Sequence, residues 1–258
     1  TSTAVSTFDN LEDAGRAVTE IMHSGILPSV LEILGRETLM AINQNTELHL
    51  PEVDAMLLVE TDGYTSEETQ YQMKKILDIF RKNHAQEVKE AKSEAEATEL
   101  WKARKSAYAV LARIKTHFVL EDVTVPIGKV ADMLRGVNEI AKTYNLQIAT
   151  FGHAGDGNLH PQILYDGYDA DQVKRMEAAS GELFRLATRL EGTLTGEHGI
   201  GLSKAPYMTL EHDPVAMDIM RSLKRMFDPN NILNPGKMAL DEEVPQVGKE
   251  KKTEDRIQ

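Results

Sequence analysis

Two histidines bracket a run of small and polar residues in "FGHAGDGNLH", which places His153 and His160 on either side of a short loop. Both flanks, "QIATFGH" and "NLHPQIL", have strand character, so antiparallel pairing brings the two imidazoles to neighbouring positions. An imidazole pair suits zinc, iron, manganese or cobalt. Glycines 152, 155 and 157 give the loop backbone freedom and allow close approach by another group. The spacing is not a standard zinc signature. A glycine-rich hairpin whose histidines only form hydrogen bonds, or a turn whose N–H groups meet an anion, explains the same residues.

A second stretch, "TGEHGIG", sets Glu197 beside His198 among further glycines. A carboxylate is a natural third ligand to two histidines, leaving open positions for a substrate oxygen. Adjacent side chains of an extended segment point to opposite faces, so one of the pair can hold a metal while the other faces the substrate as a base. The plain alternative is an exposed Glu–His turn. In "LWKARKSAYAVL", Trp101, Arg104, Tyr108 and Leu111 share one helical face. An arginine there is either a bidentate partner for a bound carboxylate or half of an internal ion pair. Lys204 and Lys237 are further candidates for anion contact.

Composition narrows the chemistry. The chain has 258 residues, enough for a sizeable core, with 41% apolar and 27% charged residues. A net charge of −12 argues against nucleic acid, since a phosphate-backbone binder carries excess Lys and Arg. With no cysteine, disulfides, iron–sulfur clusters and thiolate zinc sites are excluded within the chain. Any metal is held by His, Asp, Glu or backbone oxygen. No apolar run reaches the ~20 residues of a transmembrane span, and no signal-peptide pattern opens the chain, so a cytoplasmic location is the expectation.

The elements that must position these residues read as α+β. "STAVSTFD" is strand-like; "DNLEDAGRAVTEIMHSG" is an amphipathic helix capped by Asp9 or Asn10; "ILPSVLEIL" is extended, with a short helix over 37–43. "DAMLLVETDG" is a buried strand, and "SEETQYQMKKILDIFRKNHA" a helix with Tyr71, Ile76, Ile79 and Phe80 inward. "QEVKEAK" is a strand, and a capped helix with Ser93 and Glu96 as its capping box follows. This rhythm is that of helices layered on a sheet. After "FVLEDVTVP" and another helix come the histidine-bearing strands, a long helix over 170–190, the glycine-rich stretch and the helix "DPVAMDIMRSLKRMF". One domain over 1–240 is expected, with a charged tail over 241–258 too poor in apolar residues to pack.

Taken in order, "FGHAGDGNLHPQIL", "TGEHGIGLSKAPYM" and "FDPNNILNPGK" resemble the carboxyl-terminal half of FAD-linked 2-hydroxy acid oxidases and dehydrogenases. That group includes the FAD-binding subunit of glycolate oxidase, D-lactate dehydrogenases and D-2-hydroxyglutarate dehydrogenase. The resemblance covers residues 5–237. It implies a ferredoxin-like cap with an antiparallel sheet and a C-terminal helical segment, and oxidation of a D-2-hydroxy acid to the 2-oxo acid with hydride transfer to FAD. It further implies that His153, His160 and Glu197 hold a divalent zinc, iron or manganese ion and that His198 is the catalytic base. Arg104, Gln162 and Lys204 would bind substrate, and Asn234 would lie near the flavin. Leu120 stands where the hydroxyglutarate enzymes carry a lysine, Tyr108 replaces a threonine, and Gln162 replaces an asparagine, which favours the glycolate or lactate branch.

The family's FAD-binding domain precedes this region, so the implied partners are that domain, a small 2-hydroxy acid and an electron-acceptor subunit. Two other readings of the same residues are a metal-dependent 2-hydroxy or 2-oxo acid binding module without redox chemistry, and a structural subunit with structural histidines.

Overall fold

A computed structural model describes residues 1–241. The chain divides into two compact units, Thr1–Gly196 and a second beginning at Glu197. The expected tail lies outside the described residues apart from Asp241.

The first unit opens with β1 (Ser2–Phe8), α1 (Leu11–His23), β2 (Val30–Gly35), α2 (Arg36–Asn45), β3 (Ala55–Thr61), α3 (Ser66–Lys82) and β4 (Glu87–Glu90). It continues with α4 (Glu94–Leu111), β5 (His117–Leu120), β6 (Val123–Thr124), α5 (Val130–Thr143), β7 (Gln147–His153), β8 (Asn158–Tyr165) and α6 (Ala170–Arg189). The strands form one eight-stranded sheet in the order β4-β1-β3-β2-β7-β8-β5, with β6 also on β8. Every pairing is antiparallel. Its first four strands, with α1 and α3, form the β-α-β-β-α-β arrangement of ferredoxin-like folds, and α2 lies between β2 and β3.

Alternation along the strands divides the side chains between two layers. Leu34, Met56, Ala149, Phe151 and Leu164 join residues of α2 and α4 in one core cluster. The intervening residues, among them Phe8, Ile33 and Ile163, are fully buried, and Phe8 meets Phe80 of α3 edge to face at 6.0 Å. The helix starts follow their caps: the Asn10 side chain accepts from Asp13 N–H, Thr65 from Glu68 N–H, and Ser93 from Glu96 N–H. Glu96 itself accepts from the backbone of Lys92, one residue before the expected partner in the capping box.

One expectation needs correction and two are refined. "ILPSVLEIL" becomes strand only from Val30. Tyr71, expected inward, is 60% exposed, because it lies midway between Thr69 and Met73 in sequence and so on the side of the helix opposite the buried row Thr69, Met73, Ile76 and Phe80. Tyr108 is about half exposed and stacks edge to face on Phe118 at 5.7 Å, whereas Leu111 of the same helix is fully buried.

The second unit contains a 3-10 turn over Ala205–Leu210, α7 (Pro214–Phe227) and a short 3-10 turn at Lys237–Ala239. Asp213 caps α7, with Pro214 at its first position. Only Met217 of α7 is buried, while Ile219, Leu223, Met226 and Phe227 are exposed.

Candidate metal and substrate site

β7 and β8 form the hairpin expected from their sequence, with Phe151 opposite His160 and His153 opposite Asn158. The two histidines are thus one step apart on a diagonal of one sheet face. Their ring centroids are 5.2 Å apart with the planes nearly perpendicular, and a ring nitrogen of each lies within 4.8 Å of one on the other. His160 is buried and His153 half-buried.

Two glycines make this geometry available. A Cβ on Gly152 would stand 2.4 Å from the Asn158 carbonyl oxygen and 2.8 Å from Leu159 Cα, so only glycine lets the strands approach this closely beside His153. Gly157 has φ +71° and a Cβ there would meet the Val125 carbonyl oxygen at 2.0 Å. Asp156 N–H donates to His153 O and Gly157 N–H to Ala154 O, closing the turn, while Gly155 N–H donates to Leu31 O and ties it to β2.

Carboxylates attend both imidazoles. Glu32, opposite His153 across β2 and β7, accepts from His153 Nδ1 at 2.5 Å through one oxygen and from Arg104 Nε at 2.6 Å through the other. Arg104 stacks its guanidinium over Phe151, 4.7 Å from the ring centroid. Burial pushes the Glu32 carboxyl up, but the His153 hydrogen bond and the Arg104 charge and hydrogen bond outweigh it and hold it below the usual carboxylate range. Asp122, fully buried between β5 and β6, has one oxygen 3.9 Å from His160 Nδ1. Its other oxygen accepts from Thr195 Oγ1 at 2.5 Å and Gly196 N at 2.9 Å. A β-bridge between Thr124 and Thr193 holds the same segment.

Gln162 continues the row of Asn158 and His160 on β8, so it shares their face. It is completely buried, and neither its side-chain oxygen nor its nitrogen has a hydrogen-bond partner among the described residues. A buried amide in that state calls for a partner. The first unit therefore brings together His153, His160, Arg104 and Gln162. Sequence reasoning missed Glu32 and Asp122, although each is an acid inside an apolar strand-like run, "VLEIL" and "FVLEDVTV", which is a signal in itself.

The remaining candidates belong to the second unit. Glu197 and His198 follow Gly196 directly, and both are exposed. Lys204 is buried, with its N–H donating to Ile200 O and its carbonyl accepting from Tyr207 N–H. Asn234 has φ +50° and accepts from Lys237 N–H through its carbonyl, as a tight-turn residue. Lys237 opens the final 3-10 turn.

As to the fit of a divalent ion, the donor set is suitable: two close imidazoles, one deeply buried, with a carboxylate hydrogen-bonded to His153 and another beside His160. This is the second layer that ligating histidines ordinarily have.

Residues 1–238 match the family described as "FAD linked oxidases, C-terminal domain". Among curated proteins, the chain is 44% identical over 237 residues to "Glycolate oxidase subunit GlcD" of Bacillus subtilis, covering 92% of this chain and 50% of that protein. It is 34% identical to the subunit of the same name from Escherichia coli K12, covering 90% of this chain and 47% of that protein. To "D-lactate dehydrogenase [cytochrome], mitochondrial" of Arabidopsis thaliana it is 32% identical, covering 91% and 41%. The chain spans about half the length of the curated relatives it matches.

Among solved structures, p-cresol methylhydroxylase with substrate bound superposes with a TM-score of 0.71 at 15% identity, covering 94% of this chain and 53% of that one. The 4-ethylphenol oxidase of Gulosibacter chungangensis gives 0.62 at 18%, covering 94% and 54%. These two likenesses concern the fold. With the family matched over nearly all its described length, and with homology to glycolate oxidase and D-lactate dehydrogenase, the chain belongs to the C-terminal domain family of FAD-linked oxidases.

Proposed function

We propose that this chain is the substrate- and metal-binding part of a flavin-dependent oxidoreductase that converts a short D-2-hydroxy acid, of the glycolate or D-lactate kind, to its 2-oxo acid. One observation carries the reading. The close His153–His160 pair, suited to an ion, is joined through Glu32 to Arg104, suited to a carboxylate, and a 2-hydroxy acid has both groups on adjacent carbons. The homology to enzymes of those two names supports the same substrate class.

In this reading His153 and His160 hold a divalent cation with Glu197, which lies one peptide bond beyond the Gly196 that Asp122 anchors. Such an ion, when bound, lowers the pKa of a hydroxyl group. FAD, when bound, accepts the hydride from C2 and is held chiefly by the half of the relatives' length that this chain does not span. Arg104 keeps Nε on Glu32 and offers its remaining N–H groups to the substrate carboxylate. His198 takes the hydroxyl proton as general base. Gln162 gains in the substrate the polar partner it lacks, and Lys204 adds positive charge toward the acid.

α7 carries an exposed apolar face, Ile219, Leu223, Met226 and Phe227, the kind of surface that takes a partner. The test is anaerobic reduction of the flavin in the protein that joins this chain to that half. Glycolate or D-lactate bleaches the flavin, and Arg104→Ala raises the concentration required. Failure of every short D-2-hydroxy acid to bleach it contradicts the proposal.

A further inference from the structure

Glu32 lies on β2, outside the histidine-bearing and Glu–His motifs, and is buried between two side chains of the site. Its two oxygens are divided, one to His153 Nδ1 and one to Arg104 Nε. An ionised carboxylate only accepts hydrogen bonds. The proton between Glu32 and His153 therefore belongs to Nδ1, and a neutral His153 must carry its lone pair on Nε2. Cross-strand register makes this contact obligatory: Glu32 and His153 are direct partners in the β2–β7 ladder, so their side chains share a face.

We infer that Glu32 is a positioning residue for both ends of the site, fixing His153 with Nε2 as its ligating nitrogen and clamping Arg104 against Phe151. The inference rests on the metal-binding reading above and deepens it. It accounts for the placing of a carboxylate deep in an apolar strand, since no other side-chain type satisfies two donors on separate oxygens while remaining ionised. Glutamine is nearly isosteric but has one oxygen. Arg104 is always a donor, so the glutamine oxygen turns to Arg104 and its NH2 faces His153 Nδ1. His153 must then accept at Nδ1 and carry its proton on Nε2, the tautomer that cannot bind a cation there.

The test uses the 258-residue chain in wild-type, Glu32→Gln and Glu32→Asp forms, titrated calorimetrically with Zn2+ alone. Long-range 1H–15N spectra of the histidine rings, with His153 assigned from a His153→Gln variant, report the tautomer. The expected result is an Nδ1–H tautomer in the metal-free wild type and an Nε2–H tautomer in Glu32→Gln. Zn2+ affinity falls about 10–100-fold in Glu32→Gln, and Glu32→Asp, which keeps two oxygens, lies between. A purely structural ion pair with Arg104 would alter stability but neither readout.

Equal Zn2+ affinity in wild type and Glu32→Gln, with both folded by circular dichroism, overturns the inference. So does an Nε2–H tautomer in the wild type, whether or not any variant folds. If the wild type binds no Zn2+, the metal-binding reading fails, and the tautomer comparison still decides for or against Glu32.

Discussion

Replacing Asp122 by asparagine removes one negative charge from a site with no solvent exposure while leaving its volume nearly unchanged. One oxygen of Asp122 accepts from both Thr195 Oγ1 and Gly196 N–H. Hydrogen bonds to a charged group are worth about 1.5–3 kcal/mol and neutral ones about 0.5–1.5 kcal/mol, so neutralising the acceptor costs roughly 1 kcal/mol per bond and about 2 kcal/mol together. Asp122→Ala removes the acceptor from both donors altogether, so each charged hydrogen bond, worth about 1.5–3 kcal/mol, is lost in full rather than weakened.

At about 2–4 °C per kcal/mol for a domain of this size, the asparagine variant should melt about 4–8 °C below wild type and the alanine variant lower still. Differential scanning calorimetry of the three proteins at one pH reads this directly. Because Gly196 leads into Glu197, divalent-metal affinity should fall with Tm. A shift under about 1 °C for asparagine, where about 4–8 °C is expected, would refute the claim that this carboxylate anchors the segment. Equal losses for asparagine and alanine would assign the effect to something other than acceptor strength.

Other consequences follow from the same geometry. Gly157→Ala places a Cβ against the Val125 carbonyl at positive φ and should destabilise by more than about 1 kcal/mol in a urea titration. In the flavin-containing protein, His198→Ala should abolish turnover with metal content near normal; normal turnover would remove His198 as the base. Glu32, with its carboxyl held below the ordinary 4.5, contributes stability that is fully present above the unfolded glutamate value. That contribution is lost as pH falls through the lowered folded value. Melting temperatures from about pH 6 to about pH 3 should fall more steeply in wild type than in Glu32→Gln.

Local signals made much of this architecture legible. α1 and α4 begin where Asn10 and Ser93 can cap them, and the β7–β8 hairpin forms across a glycine-rich turn that few other residues could make. The helix over 36–45 and that over 170–189 fall within a few residues of their expected limits. What depended on distant partners was not legible. Glu32 meets His153 across 121 residues of sequence, and neither position alone names the other. β5 crosses to the far side of β8, and the two-residue β6 exists only because β8 and the Thr193 segment pair with it. Tyr71 reads as apolar by composition, yet its place on the side of the helix opposite the buried row turns it to solvent. The imidazole pair was visible as two strand-borne histidines, whereas the carboxylates that orient it were hidden among apolar neighbours.

The central claim is that His153 and His160 hold a divalent cation. Elemental analysis of the purified chain beside its His160→Ala variant tests it most directly. The account predicts near-stoichiometric zinc, iron or manganese in the wild type after loading with that ion and removal of excess, and loss of the ion in the variant. Wild-type protein that retains no ion under those conditions, or a variant that retains as much as the wild type, would contradict it.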